Sequence, residues 1–437
     1  MNISPQLARR QALIATMGRG IAVIPTAPER QRNRDADYPY RFDSYFHYLS
    51  NFPEPGAVVV LIAGGTGAGK SLLFCREKNP ERETWDGFRY GPGAAREIFC
   101  FDEAHDVCRL DEMLPQLMAN QPALFYAPGL DSAWDLRVMG WLNAVRALVR
   151  TGITAPSEIR DVHVLLDEMR LIKDASEIAT MRGAAAISAE AHCRAMRASR
   201  PGLAEFHLEA EILHEFRSQG SQCPAYTSIV ASGPNACVLH YHGNDRAMQD
   251  GELLLIDAGC ELDGYASDIT RTFPVNGKFS GPQKAVYDIV LAAQAAAIAE
   301  IRPGKTWNQP HDAATRVLAQ GMIDLGLCKG PLDALIESGD FRRFYMHRTG
   351  HWLGRDVHDC GEYKVNGEWR TLRSGMVLTV EPGFYIREAG DIPREFWNIG
   401  VRIEDDALVT DSGCDIISSG APKTTSGIEA MMREGKA

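Results

Sequence analysis

Two aspartates in the stretch 254–272 have the spacing of a carboxylate pair. Asp257 ends an apolar run, and a hairpin turning at 262–263 would place it directly opposite Asp268. The Cβ atoms of directly opposed residues lie about 4.5–5.5 Å apart, and two ionised carboxylates at that separation repel each other. The stretch therefore predicts a shared proton or a bound cation. The alternative interpretation is an ordinary turn with one solvated aspartate.

Acidic residues and histidines end or follow apolar runs at several other places in the C-terminal half. Carboxylates that emerge from buried strands are costly to bury without positive charge nearby. The side chains that could share one acidic metal site are Asp257, Asp268, His351, Glu381 and Glu404. Four carboxylates and one imidazole suit Mn²⁺, Co²⁺ or Zn²⁺ and argue against a thiolate zinc site.

This candidate ligand set carries more negative charge than one divalent ion balances. We therefore expect two ions about 3.5–4 Å apart, bridged by shared carboxylates. Such a pair lowers the pKa of a bridging water and stabilises the attacking and leaving oxygens. The predicted chemistry is metal-assisted hydrolysis.

The composition is that of a globular protein, because 45% of the 437 residues are hydrophobic and 24% are charged. A net charge of −11 argues against nucleic-acid binding through a basic face. The most apolar run, 57–63, is too short to cross a bilayer, and the N-terminus lacks the apolar run of a signal peptide. The ten cysteines form no C-x-x-C motif, which favours reduced thiols. We expect a cytoplasmic protein that binds neither nucleic acid nor membrane.

Two stretches of different character must position these side chains. In residues 1–173, apolar stretches typical of strands alternate with helical patterns, which indicates an α/β domain. One of these strands is predicted at 97–101. Asp174 and Glu177 then form a capping-box pattern at the start of a long alanine-rich helix. Residues 174–437 hold helices, short strands and every candidate ligand, so they form the predicted catalytic domain.

The order of the acidic motifs, D…D…HWLG…HD…EPG…RIED, resembles that of metallopeptidases with the pita-bread (creatinase/aminopeptidase) fold. The N-terminal stretches RRQAL, ADYPYRFDSYFHYLSNFPEPGAVVVLI and EMRLIK are similar to those of the bacterial Xaa-Pro aminopeptidases, the aminopeptidase P group. The resemblance covers nearly the whole chain. It implies an α+β pita-bread catalytic domain, two metal ions that are usually manganese, and a homo-oligomer, either a dimer or a tetramer.

The same resemblance implies a role for each candidate ligand. Asp257 would chelate one ion, and Asp268 and Glu404 would bridge the two. His351 and Glu381 would hold the second ion. Glu381 would also accept the proton of the metal-bridging hydroxide.

Four further residues would act around the ions on the same grounds. His240 and His358 would contact the substrate or its tetrahedral intermediate. Arg402 and Tyr385 would support the ligands from behind. Arg355 departs from the family pattern, which has an aliphatic residue at that position of HWLGxDVHD, and this departure concerns local packing rather than the ligands.

Several polar neighbours of these motifs are expected to lie outside the site. His242 and His347 are predicted to be structural histidines rather than ligands. Asp405 and Asp406 follow Glu404 and are predicted to point away from the site or into solvent.

The function implied is removal of the N-terminal residue from peptides with proline at the second position. An Xaa-Pro bond has no N–H for a peptidase to bind, so the site must instead fit the pyrrolidine ring and polarise the carbonyl with metal. The alternatives are a prolidase limited to Xaa-Pro dipeptides and a non-catalytic pita-bread module that binds peptides. The large N-terminal domain argues against a minimal methionine aminopeptidase.

The run GGTGAGKS at 64–71 matches the phosphate-binding pattern G-x-x-x-x-G-K-[ST]. That motif requires a helix directly after the loop, because the helix N-terminus faces the phosphates. The residues after Ser71 start with LLFC, which favours a strand. We therefore expect a hairpin turn here and no nucleotide site.

Overall fold

The computed structural model describes residues 4–65 and 69–435. The chain divides into two units, residues 1–169 and 170–437. Within the described ranges, no helix is both long enough and apolar enough to cross a membrane.

The first unit combines strands and helices in alternation. Its strands are β1 (Arg19–Pro25), β2 (Gln31–Asn33), β3 (Ala36–Asp37), β4 (Val58–Gly64), β5 (Lys70–Cys75), β6 (Glu103–Asp106), β7 (Ala123–Phe125) and β8 (Glu158–Arg160). Its helices are α1 (Pro5–Met17), α2 (Ser44–Ser50), α3 (Pro80–Asp86), α4 (Gly91–Ile98), α5 (Leu110–Met118), α6 (Ser132–Arg146) and α7 (His163–Leu171), the last of which extends past the end of the unit. Six strands form a mixed sheet in the order β6-β5-β4-β1-β7-β8. Strand β4 is antiparallel to β1 and β5, and the other neighbours are parallel.

Strand β4 is buried on both faces of this sheet. Val59 and Leu61 belong to one apolar cluster, and Val58 and Val60 belong to another. Continuous apolar runs are typical of such doubly covered strands, so the α/β prediction is confirmed for this unit. The strand predicted at 97–101 is wrong, because α4 continues to Ile98 and Cys100 takes a positive φ of 55° that ends any extended run.

The glycine-rich segment 64–71 connects two antiparallel strands. Ile62 of β4 pairs with Lys70 of β5, whereas residues 66–68 lie outside the described ranges. Lys70 forms an ion pair with Glu103. The predicted strand after the segment is confirmed, so the helix that a phosphate-binding loop needs does not follow Ser71.

The second unit carries short strands and longer helices. Its strands are β9 (Cys223–Pro224), β10 (Ile229–Ser232), β11 (Leu253–Asp257), β12 (Cys260–Leu262), β13 (Tyr265–Ala266), β14 (Thr270–Pro274), β15 (Lys364–Val365), β16 (Glu368–Trp369), β17 (Val377–Val380), β18 (Gly383–Ile386), β19 (Ile399–Arg402), β20 (Asp405–Val409) and β21 (Cys414–Ile416). Its helices are α8 (Ala175–Ala198), α9 (Glu205–Ser218), α10 (Gly281–Ala299), α11 (Asn308–Asp324), α12 (Leu332–Ser338) and α13 (Thr425–Glu434).

Helix α8 begins at the predicted capping box. The Asp174 side chain accepts from the N–H groups of Ser176 and Glu177, and the Glu177 carboxylate accepts from the Asp174 N–H at 3.0 Å. The buried face of α8 is rich in alanine, including Ala184 and Ala191, so this helix packs closely within the main apolar cluster of the unit. Helices α9, α10 and α11 contribute to the same cluster, which supports the strands that carry the acidic residues.

The hairpin around Asp257 has a different register from the predicted one. Asp257 pairs with Thr270, and Leu262 pairs with Tyr265, so the turn lies at Asp263–Gly264. Both turn residues have positive φ, 50° and 76°, which is the signature of a type I′ turn with Asp-Gly at its centre. The prediction that Asp268 lies directly opposite Asp257 is therefore wrong by two residues. An even shift keeps both side chains on one face.

Candidate metal centre

One cavity of about 690 Å³ in the second unit collects the predicted site. The predicted residues that line it are Asp257, Asp268, His351, Glu381, Glu404, His240, His358 and Arg402. Tyr385 lies behind this wall, where its hydroxyl accepts a hydrogen bond of 3.0 Å from Arg402 Nη1. The cavity thus brings together side chains that are far apart in sequence.

Strand ends position the acidic side chains. Asp257 is the last residue of β11, Glu381 directly follows β17, and Glu404 directly precedes β20. Neighbouring strands hold these ends in register, because the Glu404 N–H donates to Thr270 O at 3.0 Å. A strand end allows a carboxylate to reach the cavity while the apolar part of the strand stays in the core.

Three side chains have the geometry of a metal site. Ligand atoms of Asp268, His351 and Glu404 all lie within 4.8 Å of one another. His351 Nε2 lies 3.4 Å from Asp268 Oδ2 and 3.7 Å from Glu381 Oε1. His351 Nδ1–H donates to Trp352 O at 2.9 Å, which leaves Nε2 directed at the carboxylates, as in metal-binding histidines.

The carboxylates carry more negative charge than their surroundings balance. Burial raises the pKa of Asp268, and it raises the pKa of Glu381 to about 7. Burial also raises the pKa of Glu404 well above its usual range, with further contributions from the neighbouring carboxylates. Burial lowers the pKa of His351, but Asp268 and Glu381 outweigh it and bring the value to about 9. Such a cluster fits divalent cations, which supply the missing positive charge.

Arg402 neutralises one end of the cluster. Its Nη2 donates to Asp257 Oδ2 at 2.6 Å, and its Nε donates to Thr270 Oγ1 at 3.1 Å. The Thr270 hydroxyl donates in turn to Glu404 Oε2 at 2.7 Å. This chain of hydrogen bonds fixes two predicted ligands relative to one guanidinium, and Tyr385 fixes the guanidinium from the other side.

Tyr226 is a site residue that sequence reasoning misses. Its hydroxyl donates to Asp257 Oδ1 at 2.6 Å and also contacts Asp268 Oδ1. The tyrosine lies outside the acidic motifs and is 31 residues from the first partner, so no local pattern marks it. Thr270 is likewise missed, since a threonine in a strand has no distinguishing signal.

The two histidines predicted as structural both line the cavity. His347 Nδ1–H donates to Arg348 O at 2.7 Å, and Nε2 accepts from the Tyr385 hydroxyl at 2.9 Å. Burial lowers the pKa of His347 to about 3, so the ring is neutral. His242 stacks near His240, with ring centroids 6.5 Å apart. These histidines shape the cavity wall in addition to any structural role.

Asp405 and Asp406 do not line the cavity, which agrees with the prediction that they point away from the site, but the alternative that they point into solvent is wrong. Both are fully buried. Asp405 pairs with Arg271 at 2.7 Å and with Lys423 at 2.6 Å. Asp406 accepts the Asp268 N–H at 3.2 Å, directly behind a predicted ligand. Strand β20 can bury both carboxylates because these partners form ion pairs or hydrogen bonds with them.

Arg355 is accommodated without solvent exposure. The side chain is buried, and its guanidinium carbon lies 4.3 Å from the centre of the Tyr265 ring. A cation–π contact therefore replaces the aliphatic packing expected at this position.

Two protein families match the two parts of the chain. The model described as metallopeptidase family M24 matches residues 179–411, and the model described as the N-terminal domain of aminopeptidase P matches residues 7–126. The chain belongs to metallopeptidase family M24. It has an aminopeptidase P N-terminal domain followed by an M24 catalytic domain, which confirms the pita-bread prediction.

Relatives of this M24 chain align along nearly their full length. The Xaa-Pro aminopeptidases of Haemophilus influenzae and Escherichia coli are each 44% identical over 425 residues, covering 97% of this chain and 96% of those proteins. The structure of Pseudomonas aeruginosa aminopeptidase PepP has a TM-score of 0.97 and 50% identity, covering 100% of this chain and 99% of that one. An Escherichia coli aminopeptidase P variant in complex with substrate has a TM-score of 0.97, 42% identity and complete coverage of both chains.

Proposed function

We propose that this M24 member is an Xaa-Pro aminopeptidase, which hydrolyses the first peptide bond of peptides with proline at the second position. The observation that carries the proposal is the meeting of four carboxylates and His351 in one cavity large enough for a peptide. The full-length similarity to Xaa-Pro aminopeptidases supports the same substrate class.

The cavity wall suits this substrate. Beside the acidic cluster it presents apolar and aromatic side chains, including Leu239, Trp307 and Tyr363. Such a surface can hold a pyrrolidine ring, which has no N–H to donate. Because the Xaa-Pro bond has no N–H, the site needs no hydrogen-bond acceptor at that position.

Two divalent ions, Mn²⁺ by preference, complete the proposed site. Asp257 would hold one ion, Asp268 and Glu404 would be shared between the two, and His351 and Glu381 would hold the other. The oxygen-rich donor set supports Mn²⁺, with Co²⁺ or Zn²⁺ as substitutes. When bound, the ions polarise the scissile carbonyl and lower the pKa of the attacking water.

The surrounding side chains handle protons and orient the substrate. Glu381 is placed to accept a proton, since its carboxylate lines the cavity with Oε1 3.7 Å from His351 Nε2, within the region where the attacking water would lie. His240 and His358 contact the substrate from the cavity wall, and the ring of His358 lies 4.3 Å from that of His351. Arg402 and Tyr385 keep the ligands oriented.

Several broader properties belong to the same proposal. We assign residues 1–173 to the N-terminal domain and 174–437 to the catalytic domain, because α8 begins after the Asp174 cap. A cytoplasmic location is supported by ten cysteines that form no disulfide. Assembly as a dimer or tetramer would cover exposed apolar side chains such as Trp85, which is 80% exposed.

A peptide panel tests the substrate assignment. The metal-loaded protein should cleave Ala-Pro-Ala after the first residue and should cleave Ala-Ala-Ala far more slowly. Cleavage of the dipeptide Ala-Pro, without cleavage of Ala-Pro-Ala, would show a prolidase instead. Binding of Ala-Pro-Ala without any turnover would show a peptide-binding module.

A further inference from the structure

Charge is distributed unevenly along the cavity. In the described part of the chain, two arginines line it, Arg402 and Arg348. Arg402 is neutralised by Asp257 at 2.6 Å. Arg348 forms no ion pair among the described residues, and its side chain is exposed. The cavity wall therefore carries one arginine that forms no ion pair with a carboxylate of residues 4–65 or 69–435.

The surroundings of Arg348 hold its guanidinium in place. Nη2 donates to Asn308 Oδ1 at 2.5 Å, and the guanidinium carbon lies 5.1 Å from the centre of the Trp369 ring. Trp369 also lines the cavity. A second cation, the Lys364 ammonium, lies 4.4 Å from the centre of the same ring. Two positive charges thus lie against one indole ring.

Arg348 also lies close to the acidic cluster along the chain. It directly follows His347, whose Nδ1 lies 4.0 Å from Glu381 Oε2. The backbone between the two residues spans one Cα–Cα step of about 3.8 Å. The cavity therefore offers a strongly acidic region, suited to metal ions and an N-terminal ammonium, and a cationic region a short distance away.

A short peptide has charges in the same arrangement, with a positive N-terminal ammonium at one end and a negative α-carboxylate at the other. In an extended Xaa-Pro-Yaa tripeptide, the free α-carboxylate lies about 7 Å beyond the scissile carbonyl, because each residue spans about 3.3–3.6 Å. A guanidinium binds a carboxylate through two parallel hydrogen bonds, and an arginine held by stacking needs little further ordering to do so.

We propose that Arg348 binds the free α-carboxylate of short substrates, so that the protein favours tripeptides over longer or C-terminally amidated peptides. This inference rests on the proposed Xaa-Pro aminopeptidase function and names the preferred form of its substrate. Arg348 here is a specificity-determining residue that contacts the substrate away from the scissile bond.

The test compares Ala-Pro-Ala with the amide of the same tripeptide. The wild-type protein should cleave the free acid with a kcat/KM about fivefold higher, through KM, as expected for a charge-assisted but solvent-screened pair. Arg348→Gln should lose about fivefold more activity on the acid than on the amide, which brings the ratio to about one. Arg348→Lys should retain part of the preference.

Controls separate this effect from overall charge. Arg342→Gln removes the same charge from an exposed site that does not line the cavity, and it should keep the fivefold ratio. A six-residue peptide, Ala-Pro-Ala-Ala-Ala-Ala, should show little difference between acid and amide, because its carboxylate lies beyond Arg348.

Three results would overturn the inference. A wild-type ratio of one would exclude carboxylate recognition while leaving the peptidase assignment intact. Equal losses on acid and amide in Arg348→Gln would indicate a purely structural role for the arginine. If metal-loaded wild-type protein cleaves neither peptide, the proposed function fails, and the inference fails with it.

Discussion

Glu381 has the surroundings of a general base, since its carboxylate lines the cavity and its Oε1 lies 3.7 Å from His351 Nε2. Glu381→Gln preserves the shape but removes both the proton acceptor and the ligand charge. We expect kcat to fall at least about 100-fold, the usual contribution of a positioned base. Rates on Ala-Pro-Ala, with circular dichroism to confirm folding, measure this.

The matched control is Glu388→Gln, an exposed position a few residues further along the chain. It should leave kcat unchanged. Substantial turnover by folded Glu381→Gln would remove Glu381 from the catalytic site. Asp268→Asn should likewise reduce kcat at least about 100-fold, because it removes the charge of a proposed bridging ligand.

His192 makes stability depend on pH. Burial lowers its pKa from 6.5 to about 4, and its Nε2–H donates to Ala258 O at 3.0 Å. Between pH 6.5 and 4 the unfolded chain binds a proton that the folded chain does not. This contribution to stability is therefore present at neutral pH and is lost as pH falls through that window, by about 2 kcal/mol between pH 7 and 5.

Urea unfolding at pH 7 and pH 5 with a chelator present checks this prediction. His192→Gln should reduce the acid-induced loss of unfolding free energy by about 2 kcal/mol. His214→Gln changes an exposed histidine on α9 and should leave the loss as it is. Equal pH dependence in wild type and His192→Gln would contradict a buried neutral His192.

At this scale, sequence reasoning finds residues whose type alone suggests chemistry. Glu381 and Glu404 stand out because a carboxylate follows a largely apolar stretch, and His351 stands out as the histidine of HWLG. Tyr226 and Asp406 do not stand out, since their site contacts span 31 and 138 residues of sequence. Only the folded chain shows that the Tyr226 hydroxyl and the Asp406 carboxylate, which accepts the Asp268 N–H, complete the positioning of Asp268.

At the scale of elements, the acidic hairpin shows how a turn sets the register. A turn at 262–263 makes the two aspartates symmetric, but Asp263–Gly264 forms the turn instead. Both of its residues need positive φ, which glycine adopts readily and aspartate tolerates. The Asp-Gly signal was present in the sequence. The Asp-Gly pair therefore predicts the position of the turn better than the symmetric spacing of the two carboxylates does.

In the segment 64–71, the secondary structure that follows the phosphate-binding pattern decides whether the pattern can bind phosphate. Lys70 lies in β5 and pairs with Glu103, with side chains 45% and 38% exposed. Lys70→Ala should therefore change the unfolding free energy by no more than about 0.5 kcal/mol. Peptidase activity should not change.

A thermal-shift assay with ATP and Mg²⁺ tests the nucleotide alternative. A ligand at 100 times its Kd would add about 2.7 kcal/mol to the stability, which is readily detected. We expect no shift. A rise in melting temperature that Lys70→Ala abolishes would show that the segment binds phosphate.

At the scale of the whole molecule, the sequence indicates an α/β first part and a second part that carries the ligands. It does not indicate every strand or the oligomeric state. Alternating apolar and helical patterns indicate the α/β first unit, and the capping box at Asp174 marks the start of α8. The predicted strand at 97–101 fails because the apolar run of four residues at 98–101 suits a helix end equally well. Assembly into oligomers depends on surfaces, for which a single sequence gives little signal.

Metal stoichiometry measured together with peptide cleavage tests the central claim most directly. Metal-free protein is titrated with Mn²⁺ while the initial rate on Ala-Pro-Ala is followed, and bound metal is quantified in the same samples. We predict no cleavage without metal, full activity at two ions per chain, and much weaker restoration by Mg²⁺ because of the imidazole ligand. Cleavage that persists in metal-free protein, or a fully loaded protein that does not cleave Ala-Pro-Ala, would contradict a dimetal Xaa-Pro aminopeptidase.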